Sequence, residues 1–136
     1  MKKFNVLVPS NGLEVHEDDR GVIADVFFNE NINHVNLITS NPGVLRGNHY
    51  HPKSVQRILI VEGSLEYWYR DKDGAGFGEC VIANLGDLVE SPPNEIHALR
   101  IGPVGCKFIT FTSGPRGGSD YELDTVRTEN IIGTVS

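Results

Sequence analysis

Three histidines in this sequence have the spacing expected of metal ligands. His49 and His51 lie two residues apart, and His97 follows a turn-rich stretch. Imidazole is the commonest protein ligand for a metal ion, and side chains at positions i and i+2 of a strand point to the same face. If residues 43–51 are extended, His49 and His51 point the same way, and His97 can complete the set from another segment.

Gln56 is a candidate for a fourth ligand. It begins an apolar run that predicts a buried strand at residues 56–61, and a turn after Pro52 would return this strand to the histidines. A set of nitrogen and oxygen donors with open positions suits a divalent ion such as Zn, Fe, Ni, Co or Mn. The alternatives are that His49 and His51 only hydrogen-bond polar core groups, and that Gln56 only pairs with backbone.

Length and charge limit the classes of protein to consider. The 136 residues predict one domain spanning 1–136, with a core at about 18–112 and a polar C-terminal tail at 113–136. The net charge of −6 argues against a nucleic-acid partner. The apolar run near the N-terminus is too short for a signal peptide or membrane helix, so the prediction is a cytoplasmic protein with no membrane partner.

The elements that must position these side chains are predicted to be strands. Short apolar or alternating runs are separated by turn residues, which is typical of an all-β sandwich or barrel. In the run 21–28 both faces are apolar, which predicts a strand covered on both sides. Tyr67 is a candidate substrate-binding residue if its face lines the mouth of a barrel, and a packing residue otherwise. Residues 113–119 are predicted to form a flexible segment that leads out of the core. The strands are predicted at 4–8, 13–16, 21–28, 34–39, 56–61, 64–71, 79–83, 88–91, 97–101 and 107–112.

The spacing of these residues resembles the two motifs of the cupin family. The first motif is matched at Gly43, His49, His51, Gln56 and Gly63, with glutamine where the family usually has glutamate. The second is matched at Gly86, Pro92 and His97, whereas Asn94 and Ile101 depart from it. The resemblance implies a cupin double-stranded β-helix, a jelly-roll barrel. It also implies one divalent ion held by His49, His51, Gln56 and His97.

A second resemblance concerns residues 18–21 and 43–50. They look like segments of the sugar-nucleotide 3,5-epimerases, which are cupins of deoxysugar biosynthesis. The resemblance implies that Arg20 and Arg46 bind the diphosphate of a nucleotide sugar and that His49 is the general base. It also implies a homodimer in which an arginine of the neighbour reaches the diphosphate. The same segment resembles sugar-nucleotide ketoisomerases and the metal-binding cupin half of capsular-polysaccharide sugar epimerase/reductases.

The two resemblances make different demands on His49. A histidine whose lone pair binds a metal cannot also accept a proton, so His49 is the catalytic base only if the site is metal-free. The function expected from the sequence is a metal-binding cupin that epimerises or isomerises a nucleotide-linked keto sugar in polysaccharide or deoxysugar biosynthesis. The alternatives are a metal-dependent dioxygenase of a small metabolite and a non-catalytic cupin that binds a sugar or metabolite.

Overall fold

A computed structural model describes residues 1–8, 12–115 and 123–134 of the chain. The regular structure in these residues is entirely β, and they contain no helix that could cross a membrane. In chain order the strands are β1 (Lys2–Asn5), β2 (Val15–Asp18), β3 (Gly21–Ala24), β4 (His34–Ser40), β5 (Leu45–Tyr50), β6 (Val55–Asp71), β7 (Glu79–Ala83), β8 (Asp87–Ser91), β9 (Glu95–Ser113) and β10 (Val126–Arg127).

The two long strands, β6 and β9, pair with each other along most of their length and belong to two sheets. The first sheet has the order β1–β8–β6–β9–β4 and uses the first part of β6 and the last part of β9. The second sheet has the order β7–β6–β9–β5–β10 and uses the remaining parts. Every pair is antiparallel, and the all-β class predicted from the sequence is confirmed.

The bend between the two sheets passes through Gly63. Its φ is 79°, and a Cβ at this position would lie 2.1 Å from the carbonyl oxygen of Gly105 on β9. Only glycine tolerates both conditions. The predicted strands at 56–61 and 64–71 are therefore two parts of one continuous strand, β6, which bends at Gly63.

The two sheets face each other across the main hydrophobic core. Ile58 and Phe108 of the first sheet pack in one cluster with Tyr67 and Leu99 of the second. Because successive strand residues point to opposite faces, Trp68, next to Tyr67, belongs to a separate cluster outside the second sheet. The inward face is the one that also carries the candidate site.

Segments near the N-terminus cover the outside of the first sheet. Leu59 of that sheet packs with Val6, Val26 and Phe27. The strand predicted at 21–28 is wrong beyond Ala24, because Val26 and Phe27 pack here as irregular chain. Strand β3 instead forms a largely exposed two-stranded hairpin with β2. The two halves of this run thus lie in different surroundings.

The end of the chain covers the outside of the second sheet. Ile131 and Ile132, whose exposed fractions are 0% and 4%, pack against Trp68 and Ile96. Residues 123–134, hereafter the C-terminal segment, and strand β1 both lie outside the predicted core at 18–112, so the packed region extends beyond it at both ends. Of the flexible segment predicted at 113–119, residues 116–119 lie outside the described residues.

Candidate functional site

The three predicted histidines meet on the inward face of the second sheet. His49 on β5 is the register partner of His97 on β9, and directly opposite residues of an antiparallel pair point to the same face. His51 follows the end of β5 and is 2% exposed. One ring nitrogen from each of the three lies within 4.8 Å of the others, so small movements of the rings would bring all three to the ~2.1 Å at which an ion binds imidazole nitrogen.

Gly47 allows this close approach of β5 to β9. Its φ is 87°, and a Cβ there would lie 2.7 Å from the carbonyl oxygen of His97. The ladder also shifts register between Gly47 and His49, and Asn48 at this shift has a φ of 59°. Such a bulge re-aims the side chains that follow it. The glycine preceding His49 therefore sets the distance between the two histidine-bearing strands.

The tautomer of His51 is determined by a backbone carbonyl. His51 Nδ1 lies 2.8 Å from the carbonyl oxygen of Asp124, which can only accept a hydrogen bond, so Nδ1 carries the proton. In the neutral ring the lone pair then lies on Nε2. A carbonyl partner of this kind commonly orients metal-binding histidines.

Asp124 is itself held in place by the loop after β5. It is 4% exposed, and its carboxylate accepts hydrogen bonds from the backbone amides of Lys53 at 3.2 Å and of Ser54 at 2.8 Å. The sequence does not single out Asp124, because this part of the chain has the composition of a polar tail. The adjacent isoleucines at 131 and 132 were the available signal, since an apolar pair in a polar tail indicates a docking point.

A cavity of about 270 Å³ opens beside the histidines. His49 and His97 line it directly, and its apolar wall consists of Ile38, Leu45, Ile58, Leu99 and Phe108. Such a cavity has the mixed lining expected of a small-molecule site.

Gln56 also lines this cavity and is 8% exposed, with Ser91 and Thr112 as its register partners. The fold thus brings Gln56 to the cavity, and its role as a ligand stays a prediction.

Tyr67 lines the cavity beside His97. The two rings are stacked, with centroids 6.2 Å apart and planes 12° from parallel. The phenol hydrogen-bonds the hydroxyl of Ser91. Burial raises the pKa of Tyr67 well above its ordinary value, so this phenol stays protonated at neutral pH. When the hydroxyl of Ser91 is the donor in their bond, the phenol proton is left to be donated to a ligand oxygen.

The two predicted arginines have different positions. Arg46 lines the cavity, and its guanidinium donates to Ser40 Oγ at 2.7 Å and to the carbonyl oxygen of Thr39 at 3.2 Å. Arg20 lies in the β2–β3 hairpin, where it pairs with Asp18 at 2.6 Å and its side chain is 85% exposed. The fold therefore brings Arg46 to the cavity and leaves Arg20 outside the cavity of its own chain.

A third arginine that the sequence analysis did not select lies at the cavity. Arg127 on β10 is the register partner of His49 and lines the cavity. The sequence around it contains no motif that would single it out. Its position depends on the docking of the C-terminal segment, which only the three-dimensional structure shows.

Comparison with known proteins relates the chain to carbohydrate biosynthesis. The family described as "Polysaccharide biosynthesis C-terminal domain" matches residues 16–100. A UDP-2-acetamido-2,6-beta-L-arabino-hexul-4-ose reductase from Pseudomonas aeruginosa is 27% identical over 89 residues, which are 65% of this chain. The match spans 24% of that relative, so this chain corresponds to about a quarter of it.

Two solved structures share the fold. A 3,4-ketoisomerase from Helicobacter canadensis has a TM-score of 0.73 and 20% identity, over 93% of this chain and 89% of the other. A dTDP-4-dehydrorhamnose 3,5-epimerase from Sulfolobus tokodaii has a TM-score of 0.62 and 25% identity, over 76% of this chain and 68% of the other. The predicted cupin jelly roll and the resemblance to this group of cupins are confirmed.

Proposed function

The chain belongs to the polysaccharide biosynthesis C-terminal domain family, and on that premise we propose that it epimerises or isomerises a nucleotide-linked keto sugar. The names of its relatives support this class of enzyme, since they include an epimerase and a ketoisomerase. The nucleotides in those names are dTDP and UDP. Both classes of substrate carry a diphosphate, which gives the cavity's arginines a ligand.

The observation that carries the proposal is the composition of the cavity lining. It combines the histidine pair His49 and His97 with Arg46 and Arg127, and among the described lining residues there is no carboxylate. The chain as a whole has a net charge of −6. This local reversal of charge favours an anionic ligand. Guanidinium groups in particular bind phosphate oxygens through paired donors.

We propose further that the histidine cluster holds a divalent ion. The residues present fit one, because the three ring nitrogens converge and the Asp124 carbonyl leaves the lone pair of His51 on Nε2. His49, His51 and His97 would supply nitrogen ligands, and Gln56 would supply an amide oxygen. When bound, the ion would polarise a carbonyl of the substrate. The donor set suits Zn, Fe, Ni, Co or Mn.

The residues of the chain supply the remaining functions. The apolar wall around Leu99 and Phe108 excludes water from the sugar. Arg46 binds the diphosphate and thereby positions the ring, while the protonated phenol of Tyr67 donates to a sugar oxygen. Epimerisation requires removal and return of a proton at the carbon beside the ketone. In a metal-free site His49 is the base for this step. With an ion bound His49 would be a ligand, and a water molecule held beside the ketone would have to take and return the proton.

Hydrogen exchange in deuterated water tests the proposal. UDP-linked and dTDP-linked 4-keto-6-deoxyhexoses would be incubated with the protein and followed by mass spectrometry and NMR. Deuterium uptake beside the ketone, faster than in buffer, is the expected result. Thermal stabilisation without exchange would instead indicate a binding module, and oxygen consumption by the iron-loaded protein would indicate a dioxygenase.

Chelation then separates the two roles of His49. If the ion is required, exchange stops on chelation and returns when the ion is added back. If His49 is the base, exchange survives chelation and is lost in His49→Gln.

A further inference from the structure

The C-terminal segment is fixed to the barrel on both sides of Arg127. Before Arg127, the buried Asp124 bonds the backbone after β5. After it, the main chain of Ile131 accepts a hydrogen bond from the amide of Gly78 at 2.8 Å, and the Ile131 side chain is fully buried. Arg127 is thus presented by a short strand that is anchored at both ends.

The register of this strand places Arg127, an exposed residue, on the side of the cavity. Val126 pairs with Tyr50, and Arg127 pairs with His49. Opposite residues of an antiparallel pair share a face, so the side chain of Arg127 extends on the same face as the His49 imidazole. Its place in the cavity lining agrees with this geometry.

Arg46 approaches the same cavity from the neighbouring strand. It lies three residues before His49 on β5, and its bonds to Ser40 and Thr39 hold the guanidinium in place. A guanidinium has five N–H donors, so these two bonds leave donors for an anion. His49 therefore has an arginine before it on its own strand and another opposite it on β10.

We propose that Arg127 binds the diphosphate of the substrate together with Arg46, an assignment that rests on the function proposed above. A diphosphate carries negative charge on both phosphates and can accept hydrogen bonds from two guanidiniums at once. The C-terminal segment then has two tasks. It orients His51 through the Asp124 carbonyl, and it supplies one of the two cations that hold the substrate over the histidines.

Calorimetric titration of the full chain in its metal-loaded form tests the proposal. The probes are UDP and dTDP, with uridine and thymidine as matched ligands that lack the diphosphate. Arg127→Gln should weaken the binding of a diphosphate by about tenfold or more, the loss expected for a charge-assisted hydrogen bond. Affinity for the nucleoside should stay unchanged. Arg46→Gln should have a similar effect.

Lys3→Gln is the matched control, because it removes the same charge from β1, outside the cavity. Equal weakening by Lys3→Gln would show a long-range charge effect and overturn the assignment. Unchanged diphosphate affinity in Arg127→Gln, or no diphosphate binding by the unmodified protein, would also overturn it. Neither result depends on turnover, so the deuterium exchange experiment still judges the proposed function separately.

A second variant covers the case in which Arg127→Gln releases the C-terminal segment. Such release would lower metal content and thermal stability as well as affinity. Arg127→Lys keeps the charge and loses the paired donors. Weaker diphosphate binding at normal metal content in Arg127→Gln or in Arg127→Lys supports the proposal, and binding by both variants as tight as by the unmodified chain overturns it.

Discussion

The Nδ1–H of His51 donates to the backbone carbonyl of Asp124, a residue 73 positions later in the chain. Through this bond the end of the chain determines which nitrogen of a buried histidine faces the cluster. The same aspartate uses its carboxylate to hold the loop that follows His51. One residue thus supports both the orientation of the ring and the backbone that carries it.

Replacing Asp124 should therefore affect stability and metal binding together. Asp124→Ala leaves the amides of Lys53 and Ser54 without their acceptor, which should lower the free energy of unfolding by about 1–3 kcal/mol. The loosened carbonyl should also weaken metal binding by about 10–100-fold. Urea unfolding and metal titration measure the two effects. Asp124→Asn, which keeps one acceptor oxygen, should lose less of each. Full metal affinity in Asp124→Ala would show that the carboxylate is not needed to hold the carbonyl oxygen of residue 124 against His51.

Gly47→Ala should disturb the site more than an ordinary glycine replacement. The left-handed backbone conformation alone costs about 1–2 kcal/mol, and the new Cβ would also press on the carbonyl of His97. Gly76→Ala is the control, since Gly76 has a similar φ of 77° with nothing within 4 Å of the added atom. Urea unfolding should show a larger decrease in the free energy of unfolding for Gly47→Ala than for Gly76→Ala, and Gly47→Ala should also bind less metal. Equal losses would mean that the two strands can separate without harm to the site.

His51→Ala should remove the bound ion, because too few strong donors remain. His16→Ala is the control, since His16 lies on the β2–β3 hairpin with its side chain 70% exposed. Elemental analysis of the purified variants should show metal in the control and in the unmodified chain only. Metal content that is unchanged in His51→Ala would place the ion elsewhere.

Gln56→Glu should raise the affinity for a divalent ion by adding a negative charge at the proposed ligand. The same change should destabilise the metal-free protein, because the side chain at this position is buried and a buried unpaired carboxylate is costly. Thermal unfolding with and without the ion measures both effects, and they should have opposite signs. Weaker metal binding would mean that Gln56 is no ligand or that the site requires the amide.

The chain should form a homodimer in which the β2–β3 hairpin of each protomer approaches the cavity of the other. Arg20 lies on this hairpin outside its own cavity. The same hairpin carries Ile23, which is 70% exposed. Light scattering should give the mass of a dimer, and Ile23→Glu should shift it toward monomer. Val104→Glu, at an equally apolar residue that is 80% exposed, should not. A monomeric mass at micromolar concentration would contradict both the dimer and the role predicted for Arg20.

Most of the fold and the centre of the site were predictable because they depend on local patterns. Strand periodicity and turn residues indicated the all-β class, and the i, i+2 spacing placed His49 and His51 together. The errors arose where one continuous sequence pattern covers two parts of the chain that lie in different surroundings. The run 21–28 looked like a single covered strand, yet its first half is an exposed hairpin and its second half packs on a sheet. Likewise, the strands predicted separately at 56–61 and 64–71 form one bent strand, because its partner β9 pairs with both parts.

The sequence by itself determined which residues could carry chemistry, because the histidines, Gln56 and the segment 46–49 stand out by their types and spacing. Only the tertiary structure decided which arginines lie at the cavity beside the histidines. Arg46 was placed by its own strand, but Arg127 reaches the cavity through the docking of a distant segment. The tautomer of His51 likewise depends on the docking of this segment, through the carbonyl oxygen of Asp124. Both depend on contacts between residues far apart in the chain, and no local pattern encodes such contacts.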